Sequence, residues 1–246
     1  MILMTPFFIT IAIYVLAAVI PAVYLMRQIY RLDSFEKEPT DLLLSCVVMG
    51  VLAAFAAMFL EMIGQTILSR SGVLPTSRAY VIILAFCIVA VAEEGAKFYF
   101  LYRRTWREIN FDYRFDGIVY SAYVSLGFAA FENIKYVFSY GLSVAFPRAI
   151  LSIPGHLGFS IVFGYFYGRA RIAESRGQHS RCKADLITGY ILAVLMHGFY
   201  DTCAMTGTTT STIVFLVFVV VMYIFIIRLV KRESATNEPI YSIFVE

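Results

Sequence analysis

Charge is scarce in this chain. Asp, Glu, Lys and Arg together make up 15% of its 246 residues, against 60% that are hydrophobic. So little charge cannot clothe a globular surface, and a mean hydropathy of +0.77 places the chain in the polytopic membrane class. Paired cysteines are missing too. The four cysteines stand apart at 46, 87, 182 and 203 without Cys-x-x-Cys spacing, so neither a disulfide framework nor a cysteine metal site is indicated. The sequence has no zinc-peptidase His-Glu-x-x-His helix, internal repeat, polar linker or soluble segment. The net charge of +3 gives no reason to expect nucleic acid as a partner, because the cations gather in a few loops. No basic stretch precedes the first apolar run and no small-residue cleavage site follows it, so that run reads as a retained span.

What is present is a series of apolar stretches, at roughly 3–26, 42–68, 79–101, 117–139, 150–168, 185–205 and 211–230. A helix rising about 1.5 Å per residue crosses a hydrocarbon core of about 30 Å in about 20 residues. The expected fold is therefore all-α, a polytopic transmembrane helical bundle of about seven spans. It forms a single integral-membrane domain over 1–246, with a motif-bearing core at about 79–205. The loop after span one carries three basic residues, that after span three four and that after span five five, with three more at the C-terminal end. Only Arg70, Arg78 and Arg148 lie on the other side. By the positive-inside rule the N-terminus is expected outside and the C-terminus inside, in a multi-pass protein of the cell membrane.

The third stretch, AYVIILAFCIVAVAEEGAKFYFL, carries the costliest residues. A carboxylate at the centre of a spanning helix costs about 2.5 to 3.5 kcal/mol, and here Glu93 and Glu94 are adjacent. On a regular helix they point about 100° apart, with Lys97 at i+4 from one and i+3 from the other. Such a cluster is either a neutralised packing feature or a general base held in low dielectric. Residues elsewhere at membrane depth favour the second. Span four has Glu132 with Tyr136 one turn on, near a stripe of Ser121, Ser125 and Ala129 that admits close helix approach. A carboxyl bonded to tyrosine or paired with Lys135 is the plainer reading of Glu132. Span five opens Ser152-Ile153-Pro154-Gly155-His156, with helix-start signals that put His156 near a helix N-terminus, where the dipole favours neutral imidazole. Span six has His197 and Asp201 at i, i+4, so the acid can fix the imidazole tautomer. Glu61 and Gln65 in span two read as an interfacial hydrogen-bonding pair, and the tail after Arg232 reads as polar and loosely ordered.

Glu-Glu-x-x-Lys, Phe-Glu-x-x-x-Tyr, a lone histidine and His-x-x-x-Asp, each on its own helix, resemble the PrsW family of intramembrane proteases. That family lies within the wider group that contains the CAAX prenyl proteases and bacteriocin-processing proteins. The resemblance runs from about Ala79 to Met205. Lys97 and the Glu132/Tyr136 pair look like the PrsW branch, while Asp201 stands where the wider group often has Asn. The resemblance implies site-one cleavage of a membrane-anchored anti-sigma factor, a single-pass protein cut on its extracytoplasmic juxtamembrane side. Cleavage would release an extracytoplasmic-function sigma factor for a stress response.

Peptide hydrolysis needs a base for water, an acid for the leaving amine and donors for the oxyanion. Glu93 or Glu94 is the expected base, with His156 sharing the water and His197, oriented by Asp201, serving as oxyanion donor or acid. Lys97 would tune the glutamates, and Glu132 with Tyr136 would hold the set. No serine or cysteine forms a nucleophile arrangement, so direct attack by water is expected, without a cofactor or metal. The competing readings are a zinc-dependent or CAAX-type membrane protease, and a proton-coupled transporter using the same buried acids as a relay.

Overall fold

The computed structural model describes residues 5–241, with side chains from residue 7 onward. Among the described residues there is no β-strand, and one isolated bridge joins Tyr113 to Pro239. The order is α1 (Thr5–Leu32), α2 (Thr40–Arg70), then α3 (Arg78–Ile82), a π-helical stretch (Ile83–Ala90) and α4 (Val91–Thr105) as one rod. There follow α5 (Asp116–Tyr140), a single 3-10 turn (Leu142–Val144), α6 (Ala145–Ile150), α7 (Ser152–Ser175), α8 (His179–Thr206) and α9 (Thr209–Ala235). Among the described residues, six helical rods are long and apolar enough to cross a membrane. The seventh expected span, α5, falls short in apolar character because neighbours rather than lipid surround it. It packs on α1, α2, α4 and α7, and its residues from Asp116 to Ala129 are buried without interruption.

Several helices outrun their apolar stretches. α1 continues to Leu32, α7 continues to Ser175, and α8 begins at His179. Hydropathy marks the length in contact with hydrocarbon, whereas the backbone ladder carries on into polar residues at the ends. Positions 3 and 4 of the first expected span lie outside the described residues.

Small residues set the closest contacts. A Cβ on Gly50 would lie 2.0 Å from the Val124 carbonyl oxygen, and one on Gly127 would lie 2.4 Å from that of Val47. The backbones of α2 and α5 therefore touch, which only glycine permits at those two points. The serine stripe of α5 meets α7 through hydrogen bonds: Ser121 Oγ donates to the Ser160 carbonyl (2.8 Å) and Ser125 Oγ to that of His156 (2.9 Å). Asn133 Nδ2 donates to the Ala18 carbonyl at 2.9 Å and ties α1 to the centre.

The tail corrects one expectation. Up to Tyr241 it is docked: Ile240 is buried, its amide donates to the Asp112 carbonyl at 2.6 Å, and Arg114 N donates to the Glu238 carbonyl at 2.8 Å. One buried apolar residue and polar bonds such as Phe115 N to Asn237 Oδ1 (2.9 Å) and Ser175 Oγ to the Ile240 carbonyl (2.8 Å) anchor it, and hydropathy averaging hides both. Residues 242–246 lie outside the described residues. At the same end Asp33 and Glu38, in the connection between α1 and α2, are buried. Tyr120 Oη donates to Glu38 at 2.7 Å, and neither carboxylate oxygen of Asp33 has a hydrogen-bond partner.

Candidate active site

A cavity of about 750 Å³ opens at the arginine-poor end of the bundle. Glu93 from α4, Glu132 from α5, His156 from α7, and His197 and Asp201 from α8 line it, with Tyr140, Arg148, Met205 and Thr212 nearer its rim. The residues singled out in the sequence thus converge from four helices. The π-helical stretch sets how α4 enters. Its wider turns come just before the glutamates, and such turns recur at functional sites. Phe86 in this stretch packs where Gly198 leaves no side chain: a Cβ there would lie 2.4 Å from the ring. Tyr190 Oη donates to the Val91 carbonyl at 3.2 Å, where the π turns give way to α.

The two glutamates face different surroundings. Glu94 Oε1 accepts from Lys97 Nζ at 2.8 Å and lies 2.8 Å from His197 Nδ1. It is walled off from the main cavity and borders instead a small void beside Lys97, Ser160 and Tyr190. Glu93 borders the main cavity and is held more loosely. Its Oε2 lies 3.4 Å from Lys97 Nζ, 3.8 Å from His156 Nδ1 and 3.9 Å from His197 Nε2.

Both histidines are oriented from two sides. Lys97 Nζ lies 3.1 Å from His156 Nδ1, and an ammonium can only donate, so Nδ1 accepts. The ring proton then sits on Nε2 and points at Glu132 Oε2, 3.0 Å away. This fixes a neutral tautomer through named partners rather than through the helix dipole. Ser152 is the first residue of α7, and no side chain caps that end. His197 has carboxylate oxygens at both nitrogens, Glu94 at Nδ1 and Asp201 Oδ2 at 3.4 Å from Nε2. Phe159 stacks on the His197 ring at 4.9 Å, and the Phe128 ring lies 4.2 Å from Lys97 Nζ.

Arg148, on short α6, is a site residue that sequence reasoning missed. Its Nη2 donates to Glu132 at 2.8 Å and its Nε to Asn133 Oδ1 at 2.8 Å, while its guanidinium lies 3.8 Å from the centre of the Tyr136 ring. Glu132 is therefore bound by arginine and histidine, not by Tyr136 or Lys135, and Tyr136 supplies a ring rather than a hydroxyl. A signal was available, since Arg148 is one of only three cations on the arginine-poor side. Glu61 and Gln65 are not bonded to each other, and both line the cavity.

Four donor atoms, one each from Glu93, Glu94, His156 and His197, lie within 4.8 Å of one another. Two imidazoles and two carboxylates suit zinc in type and number. Bonds of about 2.0–2.2 Å would require the donors to draw together, and Lys97, within hydrogen-bond reach of Glu94 and His156, to give way.

Residues 38–229 match the family described as PrsW family intramembrane metalloprotease. Relatives named Protease PrsW include that of Geobacillus kaustophilus (strain HTA426), 35% identical over 75% of this chain and 76% of its own length. The Bacillus subtilis (strain 168) protein is 30% identical over 90% of this chain and 95% of its own. That of Clostridioides difficile (strain 630) is 29% identical over 90% and 91%. No solved structure matches the chain.

Proposed function

The chain belongs to the PrsW family of intramembrane proteases, a multi-pass membrane hydrolase, and we propose that Glu93 is the base that activates water for cleavage of a single-pass membrane protein. The observation that carries this reading is the placement of Glu93. It is the one member of the glutamate pair that borders the cavity, and both histidines lie within 4 Å of its carboxylate.

A water beside Glu93 Oε2 can also reach His197 Nε2, because 3.9 Å between the two atoms lets one water bond to both, whereas His156 has its two nitrogens taken by Lys97 and Glu132. Glu93 takes a proton as the water oxygen attacks the scissile carbonyl. His197, held by Glu94 and Asp201, donates toward the developing oxyanion. The proton on Glu93 then passes to the leaving amine as the C–N bond breaks. Lys97 holds Glu94 and fixes the His156 tautomer, while Glu132, Arg148 and the Tyr136 ring hold His156 from the other side.

The substrate we infer is a membrane-anchored anti-sigma factor, cut in its extracytoplasmic juxtamembrane segment within the bilayer. Two features support this: the family resemblance, and a cavity that opens at the arginine-poor end, outside by the positive-inside rule with the N-terminus out and the C-terminus in. A helical substrate must unwind to expose its scissile carbonyl, and a polar cavity satisfies the freed backbone groups. The test compares the membrane proteome of cells carrying the wild-type protein with that of cells carrying the Glu93→Gln variant. One or a few single-pass proteins should accumulate uncut in the variant, and identical profiles would count against a protease role.

A second reading, favoured by the four converging donors, is a zinc site held by His156, His197 and the two glutamates. A bound zinc would supply a Lewis acid that lowers the pKa of water. In that case Glu132 would still orient His156 and Asp201 would still orient His197, while the four donors would draw together and Lys97 would withdraw. Elemental analysis of the purified protein separates the two readings.

A further inference from the structure

At the arginine-rich end, two further cavities meet at Tyr165. One is a basin of about 130 Å³ lined by Arg114, Arg169, Arg176 and Arg181. The other is a groove of about 330 Å³ along α7 and α9, walled by Phe166, Phe225 and Leu229 and carrying Arg228 and Arg232. We propose that this basin and groove together bind one anionic phospholipid, its phosphodiester among the arginines and acyl chain along the groove. The proposal does not depend on the catalytic reading, since none of these residues borders the active-site cavity.

Charge supports the headgroup end. Six arginines line the pair of cavities, and three carboxylates are bonded to them: Asp185 at 3.2 Å from Arg169, Glu233 at 2.8 Å from Arg114 and Glu238 at 2.8 Å from Arg176. An excess of three positive charges remains. Arg228 makes no hydrogen bond or ion pair among the described residues. It shares a helix face with Arg232 one turn on, whose guanidinium is held by Glu233 at 2.8 Å, so Arg228 is the unpaired cation of the groove. The Arg169 guanidinium lies 5.6 Å from the Tyr165 ring centre and 5.4 Å from that of Phe166, at the junction of basin and groove.

The apolar end fixes the class of ligand. Phe225 is 52% exposed on the outer face of a spanning helix, so the groove is open to lipid. Free phosphate would fill only the basin, and a zwitterionic lipid would bring its phosphodiester with a tethered cation that the excess positive charge repels. A lipid phosphodiester fits both, and guanidinium forks match its oxygens.

The test uses the full-length protein, delipidated in neutral detergent. Phosphatidylglycerol, phosphatidylcholine with the same chains, and inorganic phosphate are each titrated while bound lipid is counted by native mass spectrometry and the unfolding midpoint is followed. The expected result is saturable binding of phosphatidylglycerol with a rise in midpoint, and neither effect from the other two over the same range. Removing one arginine near the headgroup should weaken binding about fivefold. Arg228→Gln is the key variant, because the side chain is exposed and unpaired and its loss should not disturb folding. Arg169→Gln is the second. Equal affinity for the two lipids, phosphate binding as tight as the anionic lipid, or unchanged affinity in Arg228→Gln would each overturn the proposal.

Discussion

Glu94 Oε1 lies 2.8 Å from His197 Nδ1 and 2.8 Å from Lys97 Nζ, whereas Glu93, the next residue back, has no cationic group closer than 3.4 Å. Adjacent carboxylates in one apolar helix are therefore divided. One is locked into a buried ion cluster, and the other faces open space with room for a water.

That division predicts opposite effects on stability. Removing one partner of a buried ion pair costs about 3–5 kcal/mol. Glu94→Gln keeps an acceptor oxygen but loses the charge that Lys97 and His197 face, so its unfolding midpoint in detergent should fall clearly below wild type. Glu93→Gln should unfold at or above the wild-type temperature. Equal losses in both would show that the glutamates are interchangeable.

Arg148 is expected to act through Glu132 and His156 as a positioning residue. Arg148→Lys keeps the charge but cannot reach Glu132 and Asn133 together or stack on Tyr136 in the same way. Changes to such supporting groups typically cost about 10–100-fold. We expect Arg148→Lys near the lower figure and Arg148→Ala near the upper, with the loss in kcat and little change in KM. A loss confined to KM would place Arg148 in substrate binding instead.

The outline of this site is legible in the sequence because carboxylates and histidines are conspicuous in apolar helices, and their spacing fixes which share a face. Which glutamate meets the cavity is not legible. The eight residues Ile83–Ala90 are uniformly apolar, so nothing in their pattern reveals that they wind as π rather than α. Arg148 is hidden for a different reason: it lies in a short helix after Gly141 and reads as a loop cation. The docked tail escapes notice because it is held by one buried apolar residue, Ile240, and by polar bonds to Arg114, Phe115 and Ser175, partners far away in sequence.

The connection between α1 and α2 predicts a pH dependence of stability. Burial pushes the Asp33 carboxyl up to about 6, with Lys37 acting against it, and burial pushes Glu38 up to about 7. A carboxyl raised in the folded state holds its proton more tightly there than in the unfolded chain. The stability this contributes is full below about pH 4 and is lost as pH rises through about 6 to 7. Asp33→Asn should flatten this part of the profile and raise the unfolding midpoint at pH 8. An unchanged slope between pH 5 and pH 8 in the variant would contradict the assignment.

Metal removal separates the two chemical readings. If Glu93 activates water while Lys97 keeps its place, prolonged chelation should leave cleavage unchanged, and elemental analysis should find zinc far below one per chain. Near-stoichiometric zinc, with activity lost on chelation and restored by zinc, would establish the four-donor site instead.

The most direct measurement is the cleavage rate of the Glu93→Gln variant in liposomes, on the single-pass substrate identified from the membrane comparison, beside the wild type and with unfolding midpoints recorded on the same preparations. Loss of a general base costs about 10²–10⁴-fold. The account predicts a drop of that size in kcat with the folded state intact. A Glu93→Gln protein that folds normally and cleaves at the wild-type rate would contradict it.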